Sequence, residues 1–318
     1  MKLAILCSGQ AGQHAGMLDR LLADPASADL RATASELLGR DLAGWWRGLG
    51  SAEIFANANA QFAIALCQIA AWTRLAPLLA EPPAVVAGYS LGEVLAWHVA
   101  GALDAAATLR LVRARAGLMD RHAPAAGGAG CMLLWRGRMS PARRAAVTRA
   151  LAAHGLAPAI ERAAGERVFA GPAAAVDAVL ADAAVVGAEL KRLAVGVPSH
   201  TAWLAGAVAP FRAELDAAPL RDPCVAVLAG IDGSVLRQRR QALDYLPRQI
   251  AQALRWDWCV DTLASLGVDT ALEMGPGKDL AQMTEAALPG VRARALEDFA
   301  GATDIRDWLN AAGRAGAH

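Results

Sequence analysis

The chain has 318 residues, of which 55% are hydrophobic and 19% are charged, and its formal net charge is +1. This balance predicts a folded globular protein with one large core and argues against intrinsic disorder. A nearly neutral chain gives no electrostatic reason to expect a nucleic acid or a membrane surface as partner. We therefore expect a small substrate or another protein as the ligand.

The N-terminal run Leu3 to Cys7 is too short for a signal peptide and predicts a first β-strand. No stretch reaches the roughly 18 uninterrupted apolar residues that a membrane-spanning helix requires. The five cysteines are odd in number and form no Cys-x-x-Cys pair, which disfavours both a disulfide framework and a zinc site. We expect no metal and a reducing, cytoplasmic location.

Apolar strand-like runs then alternate with helical patterns. Asn59 to Leu79 predicts a helix, Ala84 to Ala87 predicts a short buried strand, and Gly92 to Val99 and Asp104 to Met119 predict two further helices. This alternation is typical of a parallel α/β sheet.

Turn-forming residues interrupt this pattern at 124–130, and a different order of elements follows. Strands and helices are predicted in the order β-α-β-β-α-β, which is that of a ferredoxin-like unit: Cys131 to Trp135, Ser140 to Ala153, Pro158 to Arg162, Arg167 to Ala170, Pro172 to Ala183 and Glu189 to Leu193. We predict a small subdomain over 125–193, inserted into a large α/β domain made of 1–124 and 194–318. Cys224 to Leu228 and Thr270 to Met274 are predicted as later strands of the large sheet.

Ser90 stands in Gly88-Tyr89-Ser90-Leu91-Gly92, directly after a predicted strand and before a predicted helix. Flanking glycines permit a tight, strained turn that exposes the serine hydroxyl, and the helix N-terminus favours developing negative charge. A Gly-x-Ser-x-Gly sequence alone is weak evidence, and a simple turn is the alternative. The strand-turn-helix context makes Ser90 the candidate nucleophile.

A serine nucleophile needs a base, and the chain offers six histidines. His200 is favoured, because it lies on a Pro-containing loop where the chain re-enters the large domain. His14 is the second candidate, since it is close to the loop after the first strand. The others are less suitable: His98 lies about 12 Å along the helix that follows Ser90, and the rest are His122, predicted beyond the end of a helix, His154 in the subdomain and the terminal His318.

An ordinary α/β-hydrolase would place an acid and then a histidine near its C-terminus. Here 118 residues follow His200 and no acid is obviously positioned. A hydrolase is therefore less favoured, although a thioesterase or lipase remains an alternative.

Five separated motifs resemble those of the malonyl-CoA:acyl carrier protein transacylase family, in the family's order along nearly the whole chain. Ser8-Gly9-Gln10-Ala11-Gly12-Gln13 resembles the family's N-terminal glutamine loop, and Gly88-Tyr89-Ser90-Leu91-Gly92-Glu93 resembles its serine elbow. Arg115-Ala116-Gly117-Leu118-Met119 resembles the segment with the substrate arginine, and Val197-Pro198-Ser199-His200 resembles the histidine loop. Glu273-Met274-Gly275-Pro276-Gly277-Lys278 resembles the family's Glu-Val-Gly-Pro-Gly-Lys segment. Five matches in register are far more specific than any one of them.

The resemblance implies a role for each matching residue. Ser90 would be the nucleophile and His200 its general base, while the main-chain N–H groups of Gln10 and Leu91 would form the oxyanion hole. Arg115 would bind the free carboxylate of a malonyl group. In this family a main-chain carbonyl orients the histidine in place of an acid, and Gln249 occupies the matching stretch.

The resemblance also implies the reaction partners. The donor would be malonyl-CoA, a coenzyme A thioester, and the acceptor would be the phosphopantetheine-type thiol of an acyl carrier protein, with no bound cofactor. A subunit that only docks a carrier protein, without catalysis, is a further alternative, and the intact Ser90, His200 and Arg115 argue against it.

Three departures from the family pattern bear on the biological setting. Cys7-Ser8 replaces Phe-Pro, Tyr89 replaces the histidine before the nucleophile, and the stretch Glu161-Arg162-Ala163-Ala164-Gly165 lacks the usual asparagine. The first two look more like the epsilon subunit of bacterial malonate decarboxylase, whose acceptor is that complex's own carrier subunit. A malonyl transacylase of fatty-acid synthesis is the alternative.

Overall fold

The computed structural model describes residues 1–123, 130–137, 139–182, 185 and 187–315. The strands are β1 (Leu3–Cys7), β2 (Val85–Gly88), β3 (Gly130–Arg136), β4 (Ala157–Glu161), β5 (Arg167–Pro172), β6 (Glu189–Leu193), β7 (Ala226–Leu228), β8 (Val235–Leu236), β9 (Leu254–Arg255), β10 (Thr270–Glu273) and β11 (Arg292–Ala295). The helices are α1 (Asp19–Ala23), α2 (Ala28–Leu38), α3 (Leu42–Arg47), α4 (Asn57–Leu75), α5 (Leu91–Val99), α6 (Ala105–His122), α7 (Pro141–Ala153), α8 (Ala173–Ala181), α9 (Val208–Ala217), α10 (Arg239–Ala251), α11 (Trp256–Ser265), α12 (Asp279–Ala287) and α13 (Ala302–Ala315).

The large sheet has six strands in the order β11-β10-β1-β2-β7-β8. All neighbouring pairs are parallel except β7 and β8, which are antiparallel. Strands β1, β2 and β10 are buried along their whole length, as expected for a parallel sheet with both faces covered. The predicted α/β fold with a parallel sheet core is confirmed.

The small sheet contains the predicted ferredoxin-like unit, with strands in the order β6-β3-β5-β4 and antiparallel pairing throughout those four. Helices α7 and α8 interrupt the strands at the predicted places. Strand β9 of the large domain extends this sheet by pairing parallel to β4, with Ile160 opposite Leu254. This extra strand joins the two parts of the molecule and was not predicted.

The limits of the two domains remain predictions. The proposed boundary at 124/125, the turn-forming segment 124–129 and the predicted helix end at Ala183 lie outside the described residues.

One prediction about α6 was wrong: His122 is the last residue of this helix and does not lie beyond it. The helix begins after Asp104, whose side chain accepts a hydrogen bond from Ala107 N at 2.7 Å. At the other end Arg121 and His122 occupy the last turn, where positive charge interacts favourably with the helix dipole. This stabilises the extra turn beyond the predicted end at Met119.

The carboxyl ends of β1 and β2 place two predicted motifs side by side. Cys7 O accepts a hydrogen bond from Tyr89 N at 2.9 Å, so the loop after β1 lies against the turn after β2. Ligands of open α/β sheets bind in crevices at such strand ends. In the described ranges no helix combines the length and the apolar composition that crossing a membrane requires.

Candidate active site

Ser90 lies on a strained turn between β2 and α5, with φ of 59° and ψ of −114°. The turn fits only because glycine precedes and follows it. A Cβ atom on Gly92 would stand 1.9 Å from Cys7 O, and one on Gly88 would stand 2.2 Å from Glu93 N. A non-glycine residue held at positive φ carries strain that the surrounding structure must maintain, and such strain clusters at functional sites.

His200 follows the inserted subdomain in the sequence, yet its side chain contacts Ser90. Ser90 Oγ and His200 Nε2 lie 2.7 Å apart. The His200 backbone also has a positive φ, of 63°, and its main-chain N donates to Ile250 O at 2.9 Å. The structure thus brings together the two residues that the sequence pairs as nucleophile and base.

The main-chain carbonyl of Gln249 lies 2.5 Å from His200 Nδ1. A carbonyl oxygen can only accept, so Nδ1 carries the proton and Nε2 of the neutral ring is left to accept from the serine hydroxyl. Burial, together with the positive charge of Arg115, lowers the pKa of His200 to about 3. The imidazole is therefore neutral near pH 7, as a general base must be before it takes a proton.

The other described histidines lie in other surroundings. His14 is exposed, with Nε2 3.6 Å from Glu297 Oε1, and it lines a cavity whose walls include neither Ser90 nor His200. His98 Nδ1 lies 2.9 Å from Leu103 O, and His154 Nε2 lies 2.8 Å from Asp182 Oδ2. His122 packs beside Gly206, while His318 falls outside the described residues.

The loop that carries Gln10 packs directly on the serine elbow. A Cβ atom on Gly9 would stand 2.7 Å from Tyr89 O and 3.6 Å from Ser90 Cβ. Leu91 is the first residue of α5, so its N–H is one of the donors that a helix leaves free at its N-terminus. Within the described residues, neither Gln10 N nor Leu91 N donates to a protein acceptor. Neither N–H group is therefore used by another main-chain group of the described residues.

Arg115 projects from α6 into the interior, with only 1% of its surface exposed. Its neighbours Arg110 and Arg113 are exposed, which separates the predicted ligand-binding arginine from those two. Arg115 donates to the side-chain oxygens of Gln61 at 2.7 Å and Gln249 at 3.0 Å. Burial lowers its pKa to about 10, so it keeps its charge near pH 7.

Two side chains that support the site, Gln61 and Asn57, were not predicted, and both lie on α4. Gln61 holds Arg115, and its own Nε2 donates to Asn57 Oδ1 at 2.7 Å. The same Asn57 oxygen accepts from Gln10 Nε2 at 3.0 Å, which links the glutamine loop to the arginine. A sequence signal exists, because Asn57 and Gln61 are polar residues four apart, and hence on one face, of a largely apolar helix.

Glu93, at the start of α5, is fully buried. Its Oε2 accepts from Gly230 N and from Gln249 Nε2, each at 3.0 Å. Burial raises the pKa of Glu93 to about 7, although those two hydrogen bonds oppose the shift. The side-chain amide of Gln249 therefore contacts both Glu93 and Arg115.

Tyr89, which replaces the family's histidine, packs edge-on against Trp256 with ring centroids 5.3 Å apart. Burial raises the pKa of its phenol, so the hydroxyl is neutral near pH 7. Arg162, from the stretch that lacks the usual asparagine, donates to Asp279 Oδ2 at 2.5 Å and joins the small sheet to α12. In the described part of the chain, no group of three or more His, Cys, Asp or Glu residues could hold a metal ion.

The acyl transferase domain model matches residues 5–303 of the chain. Malonyl CoA-acyl carrier protein transacylase from Mycobacterium tuberculosis is 32% identical over 93% of this chain and 96% of its own length. The crystal structure of malonyl-CoA:acyl carrier protein transacylase from Xanthomonas oryzae is 31% identical, covers 98% of each chain and superposes with a TM-score of 0.85.

A third similar structure is a malonyl-transacylase in complex with the acyl-carrier protein of a type II PKS. It is 28% identical, covers 94% of this chain and 97% of its own, and has a TM-score of 0.84. The family match spans most of the chain and the curated relative exceeds 30% identity over most of both lengths. The chain therefore belongs to the acyl transferase domain family and to its malonyl CoA-acyl carrier protein transacylases.

Proposed function

We propose that this protein transfers a malonyl group from malonyl-CoA to the thiol of an acyl carrier protein through an ester on Ser90. The observation that carries the proposal is the 2.7 Å contact between Ser90 Oγ and His200 Nε2 beside a buried arginine. A nucleophile paired with a base suits acyl transfer in general. The positive charge of the arginine favours a malonyl group, because the free carboxylate of that group can pair with it.

In the loading half-reaction, Ser90 Oγ attacks the thioester carbonyl carbon while His200 Nε2 takes the hydroxyl proton. The carbonyl oxygen becomes negative and receives hydrogen bonds from the main-chain N–H groups of Gln10 and Leu91. The carbon–sulfur bond then breaks, and His200 returns its proton to the coenzyme A thiolate. The malonyl group is left as an ester on Ser90.

The transfer half-reaction runs the same chemistry in reverse. The carrier thiol gives its proton to His200, and the resulting thiolate attacks the ester carbonyl. The bond between the carbonyl carbon and Ser90 Oγ breaks, and His200 reprotonates the serine. The Gln249 carbonyl keeps Nδ1 as the protonated nitrogen and aligns the ring throughout.

Selectivity for malonyl is assigned to Arg115. Two neutral amide oxygens hold the guanidinium, and in the described residues no carboxylate forms an ion pair with it. Its positive charge is therefore not neutralised by direct contact, and a substrate carboxylate can supply the missing partner. A plain acyl chain cannot make this ion pair, which disfavours a thioesterase or lipase.

The biological setting depends on which carrier accepts the malonyl group. The Tyr89 elbow and the Cys7-Ser8 start led to the malonate decarboxylase prediction, in which the acceptor is that system's carrier subunit. The curated relative is named for acyl carrier protein, and a similar structure contains such a carrier. Both favour the alternative, a transacylase of the fatty-acid-synthesis type, and this is the setting we propose.

The test is acyl transfer to acyl carrier protein by the wild type and by Arg115→Ala, with malonyl-CoA and acetyl-CoA as donors. We expect malonyl transfer to fall by about a hundredfold, as for the loss of a buried charged contact of roughly 3 kcal/mol. Acetyl transfer should stay the same or increase. Equal loss of both transfers would refute the assignment of Arg115. Arg113→Ala, on the exposed face of the same helix, is the matched control.

A further inference from the structure

Glu93 is a buried carboxylate that the proposed reaction does not use. It has no exposed surface, and its Oε1 has no hydrogen-bond partner within the described residues. A buried carboxylate carries a substantial desolvation cost. Its hydrogen bonds in the described part of the chain are made by the other oxygen, Oε2, which accepts from Gly230 N and Gln249 Nε2.

The side-chain amide of Gln249 stands between this carboxylate and Arg115. Its Nε2 donates to Glu93 Oε2 at 3.0 Å and to Ser90 O at 2.8 Å, so both amide hydrogens are used. Glu93 Oε2 already accepts from two N–H groups, so any proton on this carboxyl sits on Oε1, and Oε2 fixes which end of the amide faces it. The amide oxygen must then point the other way, where it accepts from the Arg115 guanidinium at 3.0 Å.

The amide also keeps the two charges apart. Direct contact with Glu93 would neutralise Arg115 and compete with a substrate carboxylate. With Gln249 between them, Glu93 contributes an attractive charge to Arg115 without occupying it. Arg115 Nε remains buried without a partner among the described residues, so the guanidinium retains donor capacity for a ligand.

We propose that Glu93 is a positioning residue for acyl selectivity: it fixes the Gln249 amide, and the amide oxygen aims Arg115 at the free carboxylate of the substrate. This inference rests on the proposed malonyl transfer and adds the residue that sets the geometry of its arginine. It separates the two parts of Gln249, whose main-chain carbonyl serves His200 while its side chain serves Arg115.

The experiment measures loading of Ser90 at varied malonyl-CoA and acetyl-CoA concentrations in Glu93→Asp, Glu93→Gln, Gln249→Ala and the double variant Glu93→Asp/Gln249→Ala. Asp keeps the charge but withdraws the carboxylate by one methylene. Gln offers a carbonyl oxygen that can accept both existing hydrogen bonds. Thermal melting of each variant checks that it folds.

For Glu93→Asp we expect the half-saturating malonyl-CoA concentration to rise about tenfold, with the maximal rate within about threefold and acetyl loading unchanged. Gln249→Ala should raise the half-saturating malonyl-CoA concentration by about tenfold or more, because it removes the amide oxygen that holds Arg115. In Glu93→Gln the half-saturating malonyl-CoA concentration should stay within about threefold of the wild-type value. Since Glu93 acts through the amide, the double variant should be no worse than Gln249→Ala.

Equal losses with malonyl and acetyl in Glu93→Asp, which leave the malonyl-to-acetyl ratio unchanged, would indicate a structural role and overturn the inference. Additive effects in the double variant would also overturn it. If the wild type itself forms no malonyl ester, the proposed function falls and this inference falls with it. A wild type that loads malonyl, together with Glu93 variants of unaltered selectivity, overturns this inference alone.

Discussion

Burial and the positive charge of Arg115 together lower the pKa of His200, the proposed base, to about 3. His200 takes a proton only when neutral, so acid should stop loading only well below the ordinary histidine pKa of about 6.5. In Arg115→Met, which keeps the site filled without the charge, the pKa of His200 should rise. The acid limb of acetyl loading should then move to higher pH.

The measurement is the rate of Ser90 acetylation between about pH 2 and pH 8 in the wild type and in Arg115→Met, a range that includes the wild-type acid limb. Acetyl-CoA is the donor because it makes no ion pair with residue 115. Arg113→Met, which removes a charge at an exposed position of the same helix, should leave the acid limb in place. An unshifted limb in Arg115→Met would exclude this electrostatic effect.

At the scale of single residues, the sequence identifies the groups that stand in motifs. Ser90, His200 and Arg115 were predicted because elbow, loop and helix motifs mark them. Gln61 could not be predicted, since its contact with Arg115 spans 54 positions and depends on how α4 packs on α6. The hydrogen bonds of the Gln249 side chain also depend on tertiary contacts. The resemblance therefore implied only the role of its main-chain carbonyl.

The turn between β2 and α5 is the element that carries Ser90, the proposed nucleophile. A Cβ atom on Gly92 would stand 1.9 Å from Cys7 O, a main-chain atom of the central strand that cannot move freely. Gly92→Ala should therefore lower the free energy of unfolding by about 3 kcal/mol or more, at the upper end of overpacking costs. Urea denaturation followed by circular dichroism measures the change.

Gly117→Ala on α6 is the matched control for this substitution. Its Cβ would meet only the end of the Arg121 side chain, at 3.4 Å. Alanine favours a helix interior over glycine by about 1 kcal/mol, so Gly117→Ala should be neutral or stabilising. Equal destabilisation of both variants would contradict the close-packing explanation for Gly92.

At the scale of elements, long periodic segments could be predicted and short or edge segments could not. Strands β3, β4 and β5 of the ferredoxin-like unit have apolar runs bounded by turns, and all four of its strands were placed within a few residues. Strand β9 has two residues, too few for any periodicity, and its pairing with β4 is decided by the packing of the two domains. Strand β11, with the sequence RARA, lies at a sheet edge and has too few apolar residues to indicate a strand.

The whole molecule contains a second buried carboxylate, Glu273, whose pKa burial raises to about 7. The folded state holds this proton more tightly than the unfolded chain, so its contribution to stability is present at acid pH and is lost as pH rises from about 4.5 to about 7. In Glu273→Gln this loss is absent. As pH rises from 5 to 8, the free energy of unfolding of the variant should therefore increase by about 1–3 kcal/mol relative to that of the wild type.

Urea titrations of both proteins at several pH values test this expectation. Ser8 Oγ and Ala281 N donate to the two Glu273 oxygens, and a glutamine can keep the second bond while the serine accepts from its amide. Glu285→Gln, at an exposed position of α12, controls for loss of charge alone. A difference in stability that does not vary with pH would contradict the assigned shift.

The central claim is a covalent malonyl ester on one serine, and peptide mass spectrometry after brief exposure to malonyl-CoA tests it most directly. We expect a malonyl adduct on the peptide that contains Ser90, its absence in Ser90→Ala and a much weaker acetyl adduct from acetyl-CoA. No adduct in the wild type, or a malonyl group on a different residue that persists in Ser90→Ala, would contradict it.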